Sequence, residues 1–279
     1  MTAIVFTTVL LAALLHAGWN VIVKSNADRL LSLTVLQSFM ALMGAGMVAA
    51  FGFPGHHVWP WAIASGLLHL GYNLFLVRAY RHADLSVVYP IARGAAPLMT
   101  LVGSLFLTQD AVSVWMAFAI VVLVGGLMLT GLGQKSPGVD PHALTYALGT
   151  ACWIAAYTLV DGMGARASGN ALGFAGVIFM FDGLLILSFA IWRRGRSLVH
   201  GFAVNWKSGL VGGAASCAAY GIVVWAMTKA PIASVAALRE VSIVFVLFLS
   251  ARILKEDLGW RRILGGMMIV GGASLLRFS

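Results

Sequence analysis

The chain is made of apolar runs that recur almost end to end, each about as long as a bilayer is thick. A hydrocarbon core roughly 30 Å deep takes about 20 apolar residues per helix. Runs of that size cover residues 2–23, 30–52, 58–77, 85–108, 112–132, 142–160, 170–192, 208–228, 232–251 and 261–277. In lipid every backbone polar group must be satisfied internally, so runs of this length predict helices. The expected fold is an all-α integral membrane protein of ten transmembrane helices joined by short loops. Composition agrees, with 61% apolar and 10% charged residues against about 45–50% and about 25% in soluble domains. The loops leave no room for a soluble domain, so any chemistry belongs among the helices or at their ends.

The 18 Lys and Arg would suggest a nucleic-acid partner in a soluble protein, but their distribution says otherwise. Counting loops from the N-terminus, the odd ones hold 13 of them: Lys24, Arg29, Arg78, Arg81, Lys135, Arg193, Arg194, Arg196, Lys207, Arg252, Lys255, Arg261 and Arg262. The opposite side holds Arg166, Lys229 and Arg277, and Arg93 and Arg239 lie inside spans. The positive-inside rule then puts the odd loops in the cytoplasm and both termini outside, as expected of a multi-pass protein of a bacterial inner membrane. No nucleic-acid partner is expected. The first run lacks a basic leader and is followed by Lys24, so it reads as a retained helix rather than a secretory signal. Cys152 and Cys217 both fall inside spans and read as small buried hydrophobes. No disulfide, metal site or cofactor is expected.

An internal duplication divides the chain. Leu85-Ser-Val-Val-Tyr-Pro-Ile-Ala-Arg93, ending in Thr108-Gln-Asp110, aligns without gaps on Ile232-Ala-Ser-Val-Ala-Ala-Leu-Arg-Glu240, ending in Lys255-Glu-Asp257, at an offset of 147. Tyr72 meets Tyr220 and Arg81 meets Lys229 at an offset of 148, and Gly125-Gly126 answers Gly271-Gly272 at 146. Trp19 and Trp153 form a weaker match. The chain thus reads as two five-helix halves, residues 1–133 and 142–279. Five is odd, so the second half enters from the opposite side. Inverted repeats provide two mirror-related conformations of similar energy, the two states of alternating access, with the substrate site near the midplane beside interrupted helices. The fourth span is the expected break, since Pro90, Gly94 and Pro97 lie within it and proline removes a backbone donor.

Ten spans in two inverted halves, with His16-Ala-Gly-Trp-Asn20 in the first, Tyr89-Pro-Ile-Ala-Arg-Gly94 in the fourth and Leu238-Arg-Glu240 in the ninth, resemble the EamA-type transporters of the drug/metabolite transporter superfamily. The resemblance covers essentially the whole chain, and architecture carries more of it than any motif. It implies a single-polypeptide carrier whose central cavity is lined by spans 1, 3, 4 and 9 and their neighbours, with spans 5 and 10 at the periphery. It implies no particular substrate.

Each charge at a helix centre costs about 2.5–3.5 kcal/mol on insertion-based scales, so intramembrane charges mark function by default. Arg93, Asp182, Arg239 and Glu240 stand out. Arg93 and Glu240 are equivalent in the repeat, and at about 1.5 Å rise per residue they are expected about 10 Å apart in depth. A cation and an anion facing one cavity suit a zwitterionic substrate; the competing reading is a salt bridge that locks the halves together. Arg239 and Glu240 are adjacent, hence about 100° apart around a helix, so Arg239 is expected to pair with Asp182. Asp182 or Glu240 is the candidate proton-coupling group. Ser86, Tyr89, Arg93, Pro97, Thr100 and Ser104 form a polar stripe on the fourth span. Ser65, His69, Tyr72 and Asn73 form another on the third, and His16, Trp19 and Asn20 a third on the first. Tyr220, Trp153 and Tyr157 are expected to line the second half. Such stripes serve either a polar cavity or interhelical hydrogen bonding. The glycine clusters at 125–133 and 265–272 read as helix packing, with dimerisation as the lesser alternative, so a monomer or weak homodimer is expected.

The function expected is secondary-active transport of a small polar or zwitterionic metabolite, amino-acid-like or drug-like, by alternating access and driven by a proton or by exchange. The rivals are a passive channel and a membrane-embedded enzyme, for which Ser65 with His69 is the best nucleophile and base available.

Overall fold

The computed structural model describes residues 1–24, 29–82, 85–131, 141–195, 197–253 and 259–278. Among the described residues the chain is helical throughout and has no strand. The α-helical segments are α1 (Ala3–Lys24), α2 (Arg29–Phe51), α3 (Trp59–His82), α4 (Leu85–Leu107), α5 (Val114–Gly131), α6 (Pro141–Ser168), α7 (Ala171–Arg194), α8 (Ser197–Ala226), α9 (Ile232–Arg239), α10 (Ser242–Ile253) and α11 (Trp260–Phe278). Among the described residues, seven stretches are long and apolar enough to cross a membrane, in α1, α2, α4, α5, α6, α7 and α8. α3 has the length, but His69, Tyr72, Asn73 and Arg78 lower its hydropathy. α9 and α10 are each short, at 8 and 12 residues.

The distribution of polarity is inverted relative to a water-soluble protein. Phe106, Val114, Trp115, Trp192 and Phe278 point outward, each more than two-thirds exposed, while Arg93, Asp161, Arg239 and Glu240 are buried. Apolar surface outside and charge inside is stable only when hydrocarbon is the solvent. The protein is a multi-pass membrane protein. Cys217 is buried as expected, whereas Cys152 is exposed on the outer face of α6, where a thiol is apolar enough to meet lipid.

The most extensive helix pairings join α5 to α11 and α2 to α7, followed by α3 with α6, α4 with α6, α1 with α8 and α2 with α8. Both leading pairs close through glycine. A Cβ built on Gly126 of α5 would stand 2.6 Å from the carbonyl oxygen of Gly265 in α11, and one on Gly265 would stand 2.5 Å from that of Gly126. Gly44 of α2 and Gly176 of α7 repeat the arrangement at 2.6 and 2.7 Å. No side chain fits between backbones this close, so Gly126 and Gly265 of the clusters read from the sequence serve packing within the chain. Asn170 ties the start of α7 to the end of α2: its Oδ1 accepts from Gly173 N at 3.0 Å, and its Nδ2 donates to Phe51 O at 2.8 Å and Gly52 O at 3.1 Å.

Three sequence expectations change. The break is not in the fourth span: α4 is continuous through Pro90, Gly94 and Pro97. Gly131 of α5 leaves room for the Pro90 ring and Gly94 leaves room for Met128, so α4 packs through its prolines and glycine rather than opening at them. The interruption falls in the ninth span, where α9 ends at Arg239 and α10 begins at Ser242. Finally, α6 runs to Ser168 rather than ending at 160, which brings Asp161 inside the helix. Many of the odd-loop cations, including Arg29, Arg81, Lys135, Arg196, Arg252 and Lys255, have side chains outside the described residues, as do Ser86 and Tyr89 of α4.

The glycine crossing gives a direct test. Gly126→Val forces a branched side chain against the α11 backbone and is expected to cost about 1–3 kcal/mol, read as a lowered thermal unfolding midpoint in detergent. Gly266→Ala, where an added Cβ meets nothing within 4 Å, is expected to leave the midpoint unchanged or slightly raised.

Candidate functional site

The break between α9 and α10 creates the charged centre. Around it the backbone tightens to i→i−3 bonding: Glu240 N donates to Ala237 O at 3.0 Å, Val241 N to Leu238 O at 3.1 Å and Ile243 N to Glu240 O at 3.0 Å. Glu240 is the residue that caps the C-terminal end of α9 (φ −69°, ψ −12°). Its carboxylate accepts from Arg93 Nε of α4 at 2.8 Å, with both side chains more than nine-tenths buried. Arg239 Nε lies 3.7 Å from the other carboxylate oxygen.

This geometry corrects two expectations. Arg93 and Glu240 are in direct contact rather than about 10 Å apart in depth, because the turn at 240 and the long arginine side chain close the gap. Arg239 does not pair with Asp182 but with its own neighbour: the 100° separation holds for a regular helix, and the helix has ended. Two guanidiniums thus share one carboxylate, and the group carries a net positive charge.

From this centre an aromatic and polar chain crosses the bundle. Tyr157 of α6 is buried and faces the Arg239 guanidinium. Its ring stacks on His69 of α3 with centroids 4.1 Å apart and an interplanar angle of 21°, and Tyr72 meets it edge-on at 5.8 Å. His69 Nδ1 lies 3.1 Å from the Ser65 carbonyl oxygen, 3.3 Å from Ser65 Oγ and 3.6 Å from Asp182 Oδ2 of α7. A carbonyl only accepts, so Nδ1 carries the hydrogen. The Tyr220 hydroxyl of α8 donates to Asp161 Oδ2 of α6. Asp161 is fully buried.

Most of the residues read from the sequence come together here: Arg93, Glu240 and Arg239 at one end, His69, Tyr72, Tyr157 and Tyr220 in the middle, and Asp182 at the other. His16 of α1 pairs edge-on with Trp19 at 5.1 Å and lies within electrostatic reach of Arg93 and Arg239. Asn20 donates to the His16 carbonyl at 2.8 Å, a bond within its own helix. Trp153 packs on Phe75, with centroids 5.8 Å apart, and against Gly71, which makes it a packing residue between α6 and α3. Asn73 is half-buried, one helical turn beyond His69. Asp161 is the residue that reading by span missed. The run had been ended just before it, although apolar Leu159 and Val160 precede it and Met163 follows, which is the pattern of a charge inside a span.

At one end of the bundle Arg166 of α6 joins three segments. It pairs with Asp110, NH1 to Oδ1 at 2.8 Å and NH2 to Oδ2 at 3.2 Å, and donates to Met227 O at 2.8 Å and Ala230 O at 3.0 Å. Asp110 in turn accepts from Ile232 N, the first residue of α9, at 2.9 Å. Beside this clamp lies a cavity of about 510 Å³ lined by Phe51, Ala165, Arg166, Asn170, Trp225 and Lys229, among others. Ala165 on its wall is one helical turn from Asp161.

Comparison with known proteins follows the same lines. Residues 142–278 match the model of the EamA-like transporter family. The second half of the chain is thus similar to the EamA-like membrane transporters of the drug/metabolite transporter superfamily. Chains of solved structures match as well, 29 in number. One, titled "Crystal structure of protein", is 18% identical with a TM-score of 0.78, over 99% of this chain and 96% of its own. At that identity the likeness shows the fold. No curated protein matches.

The charge balance predicts an asymmetry. Arg93→Gln leaves Arg239 and Glu240 neutral as a pair, whereas Glu240→Gln leaves two buried guanidiniums without an anion. Removing one partner of a buried pair costs about 3–5 kcal/mol. Thermal unfolding of the purified protein is expected to show the larger loss for Glu240→Gln, with the double variant Arg93→Gln/Glu240→Gln partly restored.

Proposed function

We propose that the protein is a secondary carrier that moves a small zwitterionic metabolite by alternating access, with Arg93, Arg239 and Glu240 as its substrate site. The observation that carries this reading is the buried pair of Arg93 and Glu240, 147 residues apart in sequence, meeting where α9 is interrupted. A substrate carboxylate replaces Glu240 at the guanidiniums, its ammonium takes Glu240, and the aromatic rings of Tyr72 and Tyr157 cover its body. Exchange of one ion pair for another keeps the desolvated charges compensated at each step.

Alternating access calls for two halves of opposite orientation, and the packing supports them. The α3–α6 pairing has its counterpart in α8–α1, and α2–α8 in α7–α3. The pairs α2–α7 and α5–α11 are each their own counterpart and close through glycine. On this reading α9 and α10 form one interrupted span, α3 and α11 complete a set of ten, and residues 1–133 and 142–279 are inverted repeats. The glycine seams are occupied within the chain, which favours a monomer.

An enzyme is the lesser reading on geometric grounds. Ser65, His69 and Asp182 are close, but Ser65 and Asp182 face the same ring nitrogen, and that nitrogen carries the hydrogen. A general base for Ser65 would need the bare nitrogen toward the hydroxyl and the carboxylate on the other side.

In proteoliposomes, counterflow of radiolabelled L-alanine, L-serine or L-threonine is expected for the wild type and is expected to fall at least tenfold in Arg93→Ala and Glu240→Ala. Saturation of flux separates a carrier from a channel. Unchanged flux of every transported probe in both variants would remove the charged centre from the site. Placement in a bacterial inner membrane with both termini outside is tested by a reporter fused after Ser279: one active only outside the cytoplasm is expected to work there, and one that folds only in the cytoplasm is not.

A further inference from the structure

The charged centre does not account for the second buried cluster, which is Asp161, Asp182 and His69 with Ser65 and Tyr220. Among the buried charges of the bundle centre, two guanidiniums, Arg93 and Arg239, stand against three carboxylates, Glu240, Asp161 and Asp182. With His69 neutral the set carries one net negative charge, and a single added proton brings it to zero. The surplus lies at the aspartate end, because Arg93 and Arg239 are drawn to Glu240.

Geometry favours a proton there. His69 Nδ1 lies 3.6 Å from Asp182, beyond a good hydrogen bond, and its ring meets edge-on, with centroids 6.0 Å apart, that of Tyr220, which donates to Asp161. The two carboxylates thus flank one imidazole, with the Ser65 and Tyr220 hydroxyls beside it. The Asp182 side chain is nine-tenths buried, and its Oδ1 has no hydrogen-bond partner among the described residues. An acid proton on Asp182 would also relieve repulsion with Asp161. The cavity beside Arg166 is lined by Ala165, one turn of α6 from Asp161, and by Trp225, five residues from Tyr220 on α8.

We infer that Asp161 and Asp182 between them hold one exchangeable proton beside His69 and Ser65, forming a proton-binding site separate from the site at Arg93 and Glu240. The titratable and charged groups that face it are His69 and Tyr72 from α3, Tyr157 from α6, Tyr220 from α8 and Arg239 from α9; residues 30–51 of α2 contain no titratable side chain. On protonation one O–H bond forms on a carboxylate, and on release the proton returns to water. Tyr157, stacked on His69 and facing Arg239, is the contact through which the two sites sense each other. That this proton drives transport rests on the carrier reading above.

The test is infrared difference spectroscopy of the intact protein in liposomes as pH is lowered. The wild type is expected to develop a carboxylic-acid C=O band that is lost in Asp161→Asn and in Asp182→Asn and persists in Arg93→Gln/Glu240→Gln, which keeps the charge balance of the set. Asp161→Glu and Asp182→Glu are expected to retain a titrating band at a shifted frequency, which guards against a variant that fails to fold. A band that survives both asparagine variants, or that vanishes in Arg93→Gln/Glu240→Gln, overturns the proposal. Replacing sodium by choline is expected to leave the titration unmoved; a shift would give the site to an alkali cation and overturn it. L-alanine counterflow that ignores an imposed pH gradient, together with no titrating band, overturns the proton site and leaves the carrier. A titrating band with no flux of any probe upholds the proton site and removes the carrier.

Discussion

Three charged groups, Arg93, Arg239 and Glu240, sit in a medium that solvates none of them, and much of the bundle is arranged around that fact. Water would stabilise each ion separately; hydrocarbon stabilises none, so the ions must be compensated by one another. The compensation joins α4 to the turn between α9 and α10, segments far apart in sequence. It also explains the interruption of the ninth span. A regular helix would direct Arg239 and Glu240 to different faces, while a chain that turns at Glu240 brings both to the same place. The aromatic residues around them, His16, Trp19, Tyr72 and Tyr157, are polar enough to tolerate the ions and large enough to exclude lipid.

The all-helical, membrane-spanning character was legible because hydropathy is a property of long segments. Apolar runs are sums over many residues, and local errors hardly disturb them. Single contacts are different. Arg93 and Glu240 were visible as charges in apolar runs, but the depth argument treated side chains as points at their Cα positions and missed the reach of an arginine. Pro90, Gly94 and Pro97 looked like the break because proline is the strongest local signal, yet Gly131 across the interface makes room for the ring and α4 stays intact. The real break at Glu240 carries no proline or glycine of its own. Asp161 escaped notice for a simple reason: a span was ended at the residue before the first charge, and that charge turned out to be buried.

The two ends of the bundle do different work. At the Arg166 end a single guanidinium satisfies Asp110 and two carbonyls while Asp110 caps α9. The end of α6, the segment after α4 and the connection before α9 are thereby held as one unit. α9 begins at this clamp and ends at the charged turn, so the eight residues between link the edge of the bundle to its centre as a rigid strut.

The glycine crossings have a consequence for how such a chain can change over time. Gly126 with Gly265, and Gly44 with Gly176, each require a bare backbone on both sides of a seam, one side contributed by residues before 132 and the other by residues after 140. A larger residue on either side spoils the fit for both. The two halves are therefore free to diverge in their cavities and loops, where each residue answers only for itself, but along these lines they must keep the same absence. Conservation there would be of empty space, shared between two stretches of chain that otherwise need have no residue in common.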